Sequence, residues 1–531
     1  AVHRLRGMFA FVIWDRVKRR AFAARDPFGI KPLYYLVSRD GVFLASEKKA
    51  LLPFAEAGTL GDAGVDTASL SHYLTLQYVP EPRTLHRGVR RLGSGESLTW
   101  TPDAGIEVNR WYRPVFRPAP VDDEAALYRR IRETLRESVR MHMRADVPVG
   151  AFLSSGIDST AIVAFAREFH PHLLTFTVGY DVPGYSEIDV AQESARLLGV
   201  TTIPTVIGPQ DMMAALPRIV WHLDDPVADP SLVPLYFVAR TAAQHVTVVL
   251  SGEGADELFG GYTIYREPLS LARVQALPDP VQRGLRAVSR VIPEGVKGKS
   301  FLERGTTPLE QRYYGNARIF TERDKRRLLR HYDPSVRYTD VTAPIYAEVG
   351  DLDPVTAMQY VDLYTWLRGD ILVKADRMSM AHSLEVRVPY LDKEVFDVAA
   401  TVPVELRLPR RSDTTKYALR RALEGVVPSA IVDRKKLGFP TPTRVWLAGE
   451  MYDWAHDILA RSGAGELIDL AYARKLLEAH KRGEGDYSRK VWTVLVFCVW
   501  HAIFVEHSLD PGVERAPSAL LRKPAVGSMV A

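Results

Sequence analysis

Hydrophobic and polar positions along the chain fall into three zones with different periodicities. Near the amino terminus, around residues 7–14 and 42–44, apolar residues follow the two-residue period of strands, which predicts a hairpin-rich sheet. Between residues 147 and 250, short β-branched runs alternate with stretches of helical periodicity. From about Leu269 onward, helical patterns dominate the chain.

The middle zone predicts the fold class, which is α/β. Its predicted strands end at Leu153, Val178, Val206 and Leu250. Because these strands are short, apolar and interleaved with helices, we expect a parallel sheet covered by helices on both faces. Ligands of such open sheets bind in the crevice beyond the carboxyl ends of the strands. The residues that follow the strand ends are therefore the first candidates for a functional site.

Composition and charge narrow the class of protein only modestly. The chain has 531 residues and is 47% hydrophobic, which is enough for two or more domains with substantial cores. Arginines spread through the chain produce the net charge of +5, so we expect no nucleic-acid partner. The single cysteine, Cys498, excludes an internal disulfide and is predicted to be a buried core residue. Its apolar run, residues 491–500, is too short to cross a bilayer, and with no signal peptide we expect a cytoplasmic protein without a membrane partner.

The first candidate for a ligand site is the loop FLSSGIDST at residues 152–160. It follows a predicted strand and opens a predicted helix, so its backbone N–H groups and the helix dipole favour phosphate oxygens. The hydroxyls of Ser154, Ser155 and Ser159 add hydrogen-bond donors. Asp158 would repel phosphate unless a Mg²⁺ ion lay between them, so this acid implies a metal. An ordinary serine or glycine cap on a buried helix is the alternative interpretation.

A second glycine loop, SGEGADELFGGY, occupies residues 251–262 and follows the strand predicted to end at Leu250. Glu257 stands where a dinucleotide-binding fingerprint has its third glycine, so the nicotinamide interpretation fails. Because both loops follow parallel strands, we expect Asp158 and Asp256 to face each other across the crevice, as Mg²⁺ bound to phosphates requires. Taken singly, either aspartate could be only a charge at a helix start.

Together the two loops resemble the SGGxDS pyrophosphate loop of ATP pyrophosphatases and the SGEGxDExFxGY signature of the glutamine-dependent asparagine synthetase family. Other segments similar to that family are RDPFGIKPLYY at 25–35, ASEKKAL at 45–51, GY at 179–180 with YSE at 185–187, the predicted helix at 191–199, EVRVPYLD at 385–392 and RKKLGFP at 434–440. The chain departs from the first pattern at Ser155, which stands where that pattern has the first of its two glycines. Transfer RNA-lysidine and NAD synthetases fit the first loop but do not explain the second.

The resemblance implies an ATP-dependent ligase and its fold. It implies a parallel-sheet ATP-pyrophosphatase domain, preceded by the end of an Ntn-type glutaminase β-sheet domain. The expected cofactors are ATP and Mg²⁺, with Asp158 and Asp256 as the metal ligands. Resemblance and strand-end position together predict the ATP-binding residues, which are Leu153, Ser154, Ser155, Gly156, Ser159, Val178, Ser251 and Gly252.

Two residues are predicted to carry the chemistry. Glu253 matches the family's glutamate beside the acyl-adenylate, where a carboxylate can order the intermediate and take protons from attacking ammonia. Lys436 matches the family's catalytic lysine, whose charge stabilises the leaving pyrophosphate; Lys435 is the alternative if the match slips by one residue. Lys374 and Arg377 are weaker candidates for the same phosphate clamp.

The resemblance also predicts how the chain is divided. Residues 1–100 are expected to be a partial glutamine amidotransferase domain, 101–120 a Pro/Gly-rich linker, 121–509 the synthetase domain and 510–531 a loose tail. The family's cysteine nucleophile lies upstream of the segment that starts at Arg25. We therefore expect this sequence to be either a fragment or a protein that uses free ammonia.

The identity of the acceptor carboxylate is left open. Aspartate, converted to asparagine through a β-aspartyl-AMP intermediate, is the first choice by resemblance, with nitrogen from glutamine in the full-length protein or from ammonia in this chain. Another carboxylate, as in antibiotic or cell-surface amidotransferases of the family, is the alternative. The segment DDPVADPSLVP at 224–234 offers acids that could pair an amine, but no cation for a carboxylate.

A hypothesis of a different class is a degenerate, non-catalytic protein that keeps the fold for protein–protein contact. Retention of Asp158, Glu253, Asp256 and Lys436 argues against it, because an inactive site does not need acids beside phosphate loops. The expected partners are the small-molecule substrates, and a homodimer is left open.

Overall fold

The computed structural model describes residues 2–39, 41–55, 64–292, 298–434 and 441–512. Within these ranges the strands are β1 (Ala10–Asp15), β2 (Arg20–Arg25), β3 (Tyr34–Ser38), β4 (Gly41–Ala45), β5 (Val89–Arg91), β6 (Glu96–Thr101), β7 (Gly105–Arg110), β8 (Val149–Phe152), β9 (Leu174–Tyr180), β10 (Thr201–Ile207), β11 (Val248–Leu250) and β12 (Glu385–Arg387).

Helices connect and cover these strands. The first half of the chain contains α1 (Leu52–Phe54), α2 (Thr67–Leu76), α3 (Glu124–His142), α4 (Ile157–Phe169), α5 (Ile188–Leu198), α6 (Pro209–Leu223), α7 (Leu232–Ala242) and α8 (Ala255–Phe259). The helical zone contains α9 (Glu267–Gln275), α10 (Asp279–Val291), α11 (Lys299–Gly305), α12 (Leu309–Arg312), α13 (Glu322–Leu328), α14 (Thr339–Val349), α15 (Pro354–Tyr364), α16 (Leu372–Met380), α17 (Lys393–Ala399), α18 (Val404–Arg407), α19 (Tyr417–Ala422), α20 (Ser429–Val432), α21 (Thr443–Ala448), α22 (Tyr452–Arg461), α23 (Leu470–Lys481) and α24 (Ser488–Phe504).

The amino-terminal strands form two antiparallel sheets, which confirms the hairpin-rich prediction. One sheet has the order β1-β2-β6-β7 and the other the order β4-β3-β5. In this part of the chain, Phe28, Tyr34, Leu36 and Leu51 belong to the same continuous hydrophobic core as the later residues. The amino-terminal part is therefore packed against the remainder rather than held by a flexible connection.

The prediction that residues 101–120 form a linker is wrong for the first half of that segment. Strands β6 and β7 form a hairpin in which Leu98 pairs with Val108, and β6 continues the sheet from β2. The Pro-, Asp- and Gly-containing sequence at 102–105 makes the turn of this hairpin, which is the other structure that such residues favour. Only the irregular backbone of residues 111–123 connects the two parts, and there Arg117 N–H donates to the carbonyl of Ala400.

The central sheet is parallel, as predicted, with the order β10-β9-β8-β11-β12. Chain order runs outward in one direction from β8 to β10 and in the other from β11 to β12. The direction therefore changes between β8 and β11, where Val249 pairs with Gly150. Such a switch point opens a crevice at the carboxyl ends of the two strands. Both glycine loops begin at this crevice.

Helix α16 of the helical zone packs beside strand β12 of the central sheet. Helices α15 and α16 are joined by a π-helical turn, Leu367–Ile371, an irregularity that often occurs at functional sites. A Cβ atom at Gly369 would overlap the ring of Tyr78, so glycine lets the turn pack against the amino-terminal part.

Helix α24 lies in the carboxyl-terminal core and contains the lone cysteine. Cys498 is buried, as predicted, and burial raises the pKa of its thiol to about 12. In the part of the chain that the structure describes, no helix combines the length and apolar character needed to span a membrane.

Candidate active site

A cavity of about 490 Å³ lies at the switch point, at the carboxyl ends of β8 and β11. It brings together every residue predicted to bind ATP or metal, namely Leu153, Ser154, Ser155, Gly156, Ser159, Val178, Ser251, Gly252, Asp158 and Asp256. Glu253 and Lys374 also line it. The apolar part of the wall comes from side chains such as Phe176, Leu235 and Val238.

The first loop is cross-linked by its own serines. The N–H of Ser154 donates to Ser159 Oγ at 3.0 Å, and the two hydroxyl oxygens lie 2.9 Å apart. The N–H of Gly156 donates to Ser154 Oγ at 3.2 Å. These bonds fix the turn between β8 and α4. The serines therefore shape the loop, in addition to facing the cavity.

The two loops touch at Gly252. A Cβ atom there would lie 2.9 Å from the backbone nitrogen of Ser159 and 3.1 Å from Cβ of Asp158. Any larger residue would push the second loop away from the start of α4. The glycine thus sets the separation across which Asp158 and Asp256 face each other.

The two acids do face each other, and Lys416 lies between them. Its Nζ atom contacts Asp158 Oδ2 and lies 2.6 Å from Asp256 Oδ1. Burial alone would lower the pKa of Lys416, but the two carboxylates outweigh burial and raise it. Lys416 adopts a left-handed backbone conformation, with φ of +54°, which a lysine rarely adopts. This strained position directs a buried cation to the centre of the site.

Sequence reasoning missed Lys416 and also Arg420, which lines the same cavity. Lys416 immediately precedes α19 and Arg420 is four residues later, so both lie on one face of the helix start. The four-residue spacing of Lys416 and Arg420 was the feature of the sequence that could have identified them. Without the fold, however, this spacing is the same as that of charged residues on an ordinary solvent-exposed helix.

Asp158 and Asp256 are chemically suited to bind Mg²⁺. This ion is commonly bound by one or two carboxylates together with substrate phosphates. Oδ1 of Asp158 is buried and has no hydrogen-bond partner within the described residues, so it is a ready oxygen ligand. Within those residues, no group of three or more histidine, cysteine or acidic side chains is arranged so that it could hold a metal ion. Phosphate oxygens and water would therefore have to complete the coordination.

Lys374 projects into the cavity from α16, among acids and a hydroxyl. Its Nζ lies 2.5 Å from Asp229 Oδ2, 2.9 Å from Ser231 Oγ and 3.4 Å from Asp370 Oδ1. Burial opposes its charge, but the carboxylates of Asp229, Asp370 and Glu253 raise its pKa. Burial and the charge of Asp229 raise the pKa of Asp370 to about 8, so this acid holds a proton at neutral pH.

The structure does not bring Arg377 to the cavity. This residue is one turn beyond Lys374, but it is buried against the amino-terminal part of the chain. Its Nη2 lies 3.1 Å from Asp224 Oδ2 and donates to the carbonyl of Ser46 at 2.8 Å. The predicted role in a phosphate clamp is wrong because this cation is already bound to a buried carboxylate.

Asp224 and Asp225, which the sequence offered as partners of a substrate amine, are also occupied. Asp224 accepts from the backbone N–H of Lys48 at 2.8 Å, and Asp225 binds Lys48 Nζ at 2.5 Å. The segment ASEKKAL therefore docks on these acids. Of the acids considered there, Asp229 is the one near the cavity, through Lys374.

Lys436 and its alternative Lys435 lie outside the described residues. The last described residue before them, Arg434, lines the cavity. Its Nη1 donates to the carbonyl of Ser155 at 3.5 Å and to Ser194 Oγ at 3.0 Å. The assignment of Lys436 thus stays a prediction from the sequence. Of the predicted tail, residues 513–531 likewise lie outside the described ranges.

Fold and site together define the class of protein. A parallel sheet with two glycine loops at its switch point, facing acids and cations in one cavity, is a nucleotide-binding domain of the ATP-pyrophosphatase type.

Comparison with known proteins specifies the class further. Residues 130–502 match the asparagine synthase family, and residues 1–112 match the glutamine amidotransferase domain. A Mycobacterium tuberculosis protein is 55% identical over 516 residues, which cover 96% of this chain and 79% of the relative. Asparagine synthetase [glutamine-hydrolyzing] 1 of Bacillus subtilis is 50% identical over 511 residues, which cover 96% of this chain and 80% of the relative. Asparagine synthetase [glutamine-hydrolyzing] 3 of the same organism is 28% identical over 508 residues, covering 92% of this chain and 76% of the relative.

The chain therefore belongs to the asparagine synthase family, joined to an amidotransferase domain. It is an enzyme of this ligase class, which forms amides with the use of ATP.

Proposed function

We propose that the chain converts aspartate to asparagine through a β-aspartyl-adenylate, with release of pyrophosphate and AMP. The nitrogen comes from glutamine, through the amidotransferase domain, or from ammonia. The observation that carries this proposal is the meeting of both glycine loops, Asp158, Asp256, Lys416 and Glu253 in one cavity at the switch point. Names of the relatives support asparagine as the product.

In the first step, a β-carboxylate oxygen of aspartate attacks the α-phosphorus of ATP, and the bond from that phosphorus to the bridging oxygen of pyrophosphate breaks. Negative charge accumulates on the leaving pyrophosphate, so nearby cations lower the barrier. Lys416 and Arg420 are the described cations suited to this role, and Lys436 is proposed from the sequence. Mg²⁺ bound at Asp158 and Asp256 would screen the phosphate charge.

In the second step, ammonia attacks the β-carbonyl carbon, the bond from carbon to the AMP oxygen breaks, and the nitrogen loses a proton. Glu253 is the carboxylate we assign to that proton, because it is half-buried and lines the cavity. Its neighbourhood also includes Lys374, whose pKa its charge raises.

We assign Lys374 to the acceptor rather than to the phosphates. Its charged partner is Asp229, beside the protonated Asp370, whereas the partners of Lys416 are Asp158 and Asp256. Lys374 with Ser231 can bind the α-carboxylate of aspartate, and Asp229 can bind the α-amine. This provides the carboxylate partner that the segment 224–234 alone lacked.

The proposal is tested by aspartate-dependent exchange of labelled pyrophosphate into ATP. Succinate lacks the α-amine and β-alanine lacks the α-carboxylate, so both should support much less exchange than aspartate. Lys374→Met should raise the KM for aspartate but not the KM for ATP, and it should leave the weak reaction with β-alanine unchanged. Exchange with another carboxylate but not aspartate would assign a different acceptor. Exchange with none of a panel of carboxylates would contradict the ligase mechanism at this site.

A further inference from the structure

Glu187 lines the cavity, and the sequence placed it in a segment similar to the family without assigning it a role. It immediately precedes α5, and its Oε2 accepts a hydrogen bond of 2.6 Å from Ser155 Oγ. Both residues are about 6% exposed. Ser155 is the position at which the family's phosphate loop has glycine. The extra side chain of this loop is therefore turned toward α5 and bound there.

The same helix also holds the backbone of Ser155 through Arg434. The carbonyl of Ser155 accepts from Arg434 Nη1, and Arg434 is bound in turn by Ser194 Oγ at 3.0 Å and by Glu193 Oε2 at 2.8 Å. Glu193 and Ser194 both belong to α5. Helix α5 and the residue that immediately precedes it thus hold the backbone and the side chain of the same loop residue.

A buried carboxylate beside a triphosphate site needs a physical reason, because it repels the phosphates. A hydrogen bond from a hydroxyl to an ionised carboxylate is roughly twice as strong as a neutral one. Binding of phosphate by backbone N–H groups depends on the orientation of the peptides, and serine in place of glycine changes the freedom of that backbone. A strong hydrogen bond from Ser155 to Glu187 occupies the carboxylate and fixes the serine backbone. It therefore offsets both the repulsion of phosphate by the carboxylate and the change in backbone freedom.

We propose that Glu187 is a positioning residue of the phosphate loop, and that its bond to Ser155 orients the loop for ATP. The proposal rests on the function proposed above and adds to it how this chain accommodates serine in the loop. Glu187 itself contacts neither nucleotide nor acceptor in this proposal. Its effect on ATP passes through Ser155.

A double-mutant cycle tests the proposal, using Ser155→Ala, Glu187→Ala and the double variant. Ser155→Ala deletes only the hydroxyl, and each single variant should weaken equilibrium ATP binding and raise the ATP KM by about tenfold, as expected for loss of one charge-assisted bond. The double variant should be no worse than either single one. Glu187→Gln retains an oxygen that accepts from Ser155 but lacks the charge, so it should recover about half of the lost binding free energy and bind ATP about threefold more weakly than the parent.

Glu168→Gln is the matched control, since Glu168 is an exposed carboxylate at the end of α4 that pairs with Arg136. It should change neither ATP binding nor exchange. Additive losses in the double variant would mean that the Ser155 hydroxyl contacts ATP directly, which overturns the proposal. Unchanged ATP binding in Ser155→Ala would overturn it as well, even if Glu187→Ala does not fold. An absence of exchange in the parent enzyme would instead contradict the proposed function.

Discussion

The Nζ atom of Lys416 lies 2.6 Å from Oδ1 of Asp256, and the same atom also contacts Asp158. This one ammonium joins the two glycine loops, which are far apart in sequence and adjacent in space. A lysine between two carboxylates neutralises part of their repulsion and holds them at a defined distance. It also places a cation where the phosphates of a nucleotide would be.

Replacing Lys416 with methionine should reduce pyrophosphate exchange by roughly 10²–10³-fold, because a cation is lost from the developing charge of pyrophosphate. The exposed Lys475→Met on α23 is the matched control and should exchange normally. The measurement is the rate of aspartate-dependent exchange at saturating ATP. If the Lys416 variant folds and retains more than a tenth of the parent rate, this lysine is a structural counter-ion only.

Asp158→Asn and Asp256→Asn should each abolish exchange while the protein stays folded. Each would remove a proposed oxygen ligand for Mg²⁺ and so leave the phosphate charge less screened. Exchange measured over a series of Mg²⁺ concentrations, with circular dichroism to monitor folding, checks this. Near-normal exchange in both variants would show that these acids are only charges at helix starts.

Glu253→Gln should separate the two chemical steps. Glutamine keeps the shape but cannot take a proton, so formation of amide from ammonia should fall by about 10²-fold or more while the affinity for ATP changes little. The checks are single-turnover amide formation with ammonium and equilibrium ATP binding. A loss of ATP binding equal to the loss of amide formation would place Glu253 in the nucleotide site instead.

Arg377→Met should destabilise the protein by about 3 kcal/mol without changing the KM for ATP. Removal of one partner leaves the buried Asp224 with fewer cations, and such losses are costly. Thermal unfolding measures the effect, and Arg461→Met, which breaks the exposed pair with Asp457, should change stability by less than about 1 kcal/mol. A raised KM for ATP at normal stability would contradict this prediction and would instead indicate that Arg377 binds the phosphates.

Asp362 makes stability depend on pH in a defined direction. Burial raises its pKa to about 7, although Tyr265 and Tyr313 each donate to Oδ2 at 2.5 Å. In the unfolded chain its pKa is about 3.9, so between roughly pH 4 and 7 the folded state holds a proton that the unfolded state has lost. The contribution to stability is therefore complete below pH 4 and is lost as pH rises to 7.

Asp362→Asn cannot ionise, so its stability relative to the parent should increase by about 2–4 kcal/mol from pH 4 to pH 7 and then stay constant. Thermal unfolding at a series of pH values measures this, with the exposed Asp457→Asn as control. If the difference in stability between Asp362→Asn and the parent does not vary with pH, then Asp362 has the same pKa in the folded protein as in the unfolded chain.

The sequence by itself determined the central sheet and both loops. Strand ends at Leu153, Val178 and Leu250 agree with β8, β9 and β11 to within about two residues, because short β-branched runs and helical periods are local signals. The chemical character of the two loops could also be predicted locally, because glycines, serines and an acid at fixed spacing lie close together in any fold. Parallel strands then place such loops at one edge of the sheet, which is why Asp158 and Asp256 meet as expected.

Only the tertiary structure decided which partner each charged residue has. Lys416, Lys374 and Arg377 are all basic residues beside apolar helical positions, yet the first two line the cavity and the third binds Asp224. Their Coulomb energies depend on neighbours distant in sequence and on burial, neither of which a local pattern contains. The bond between Glu187 and Ser155 is of the same kind. The sequence therefore locates the site, whereas the packing of α5, α16 and α19 around it determines which side chains complete it.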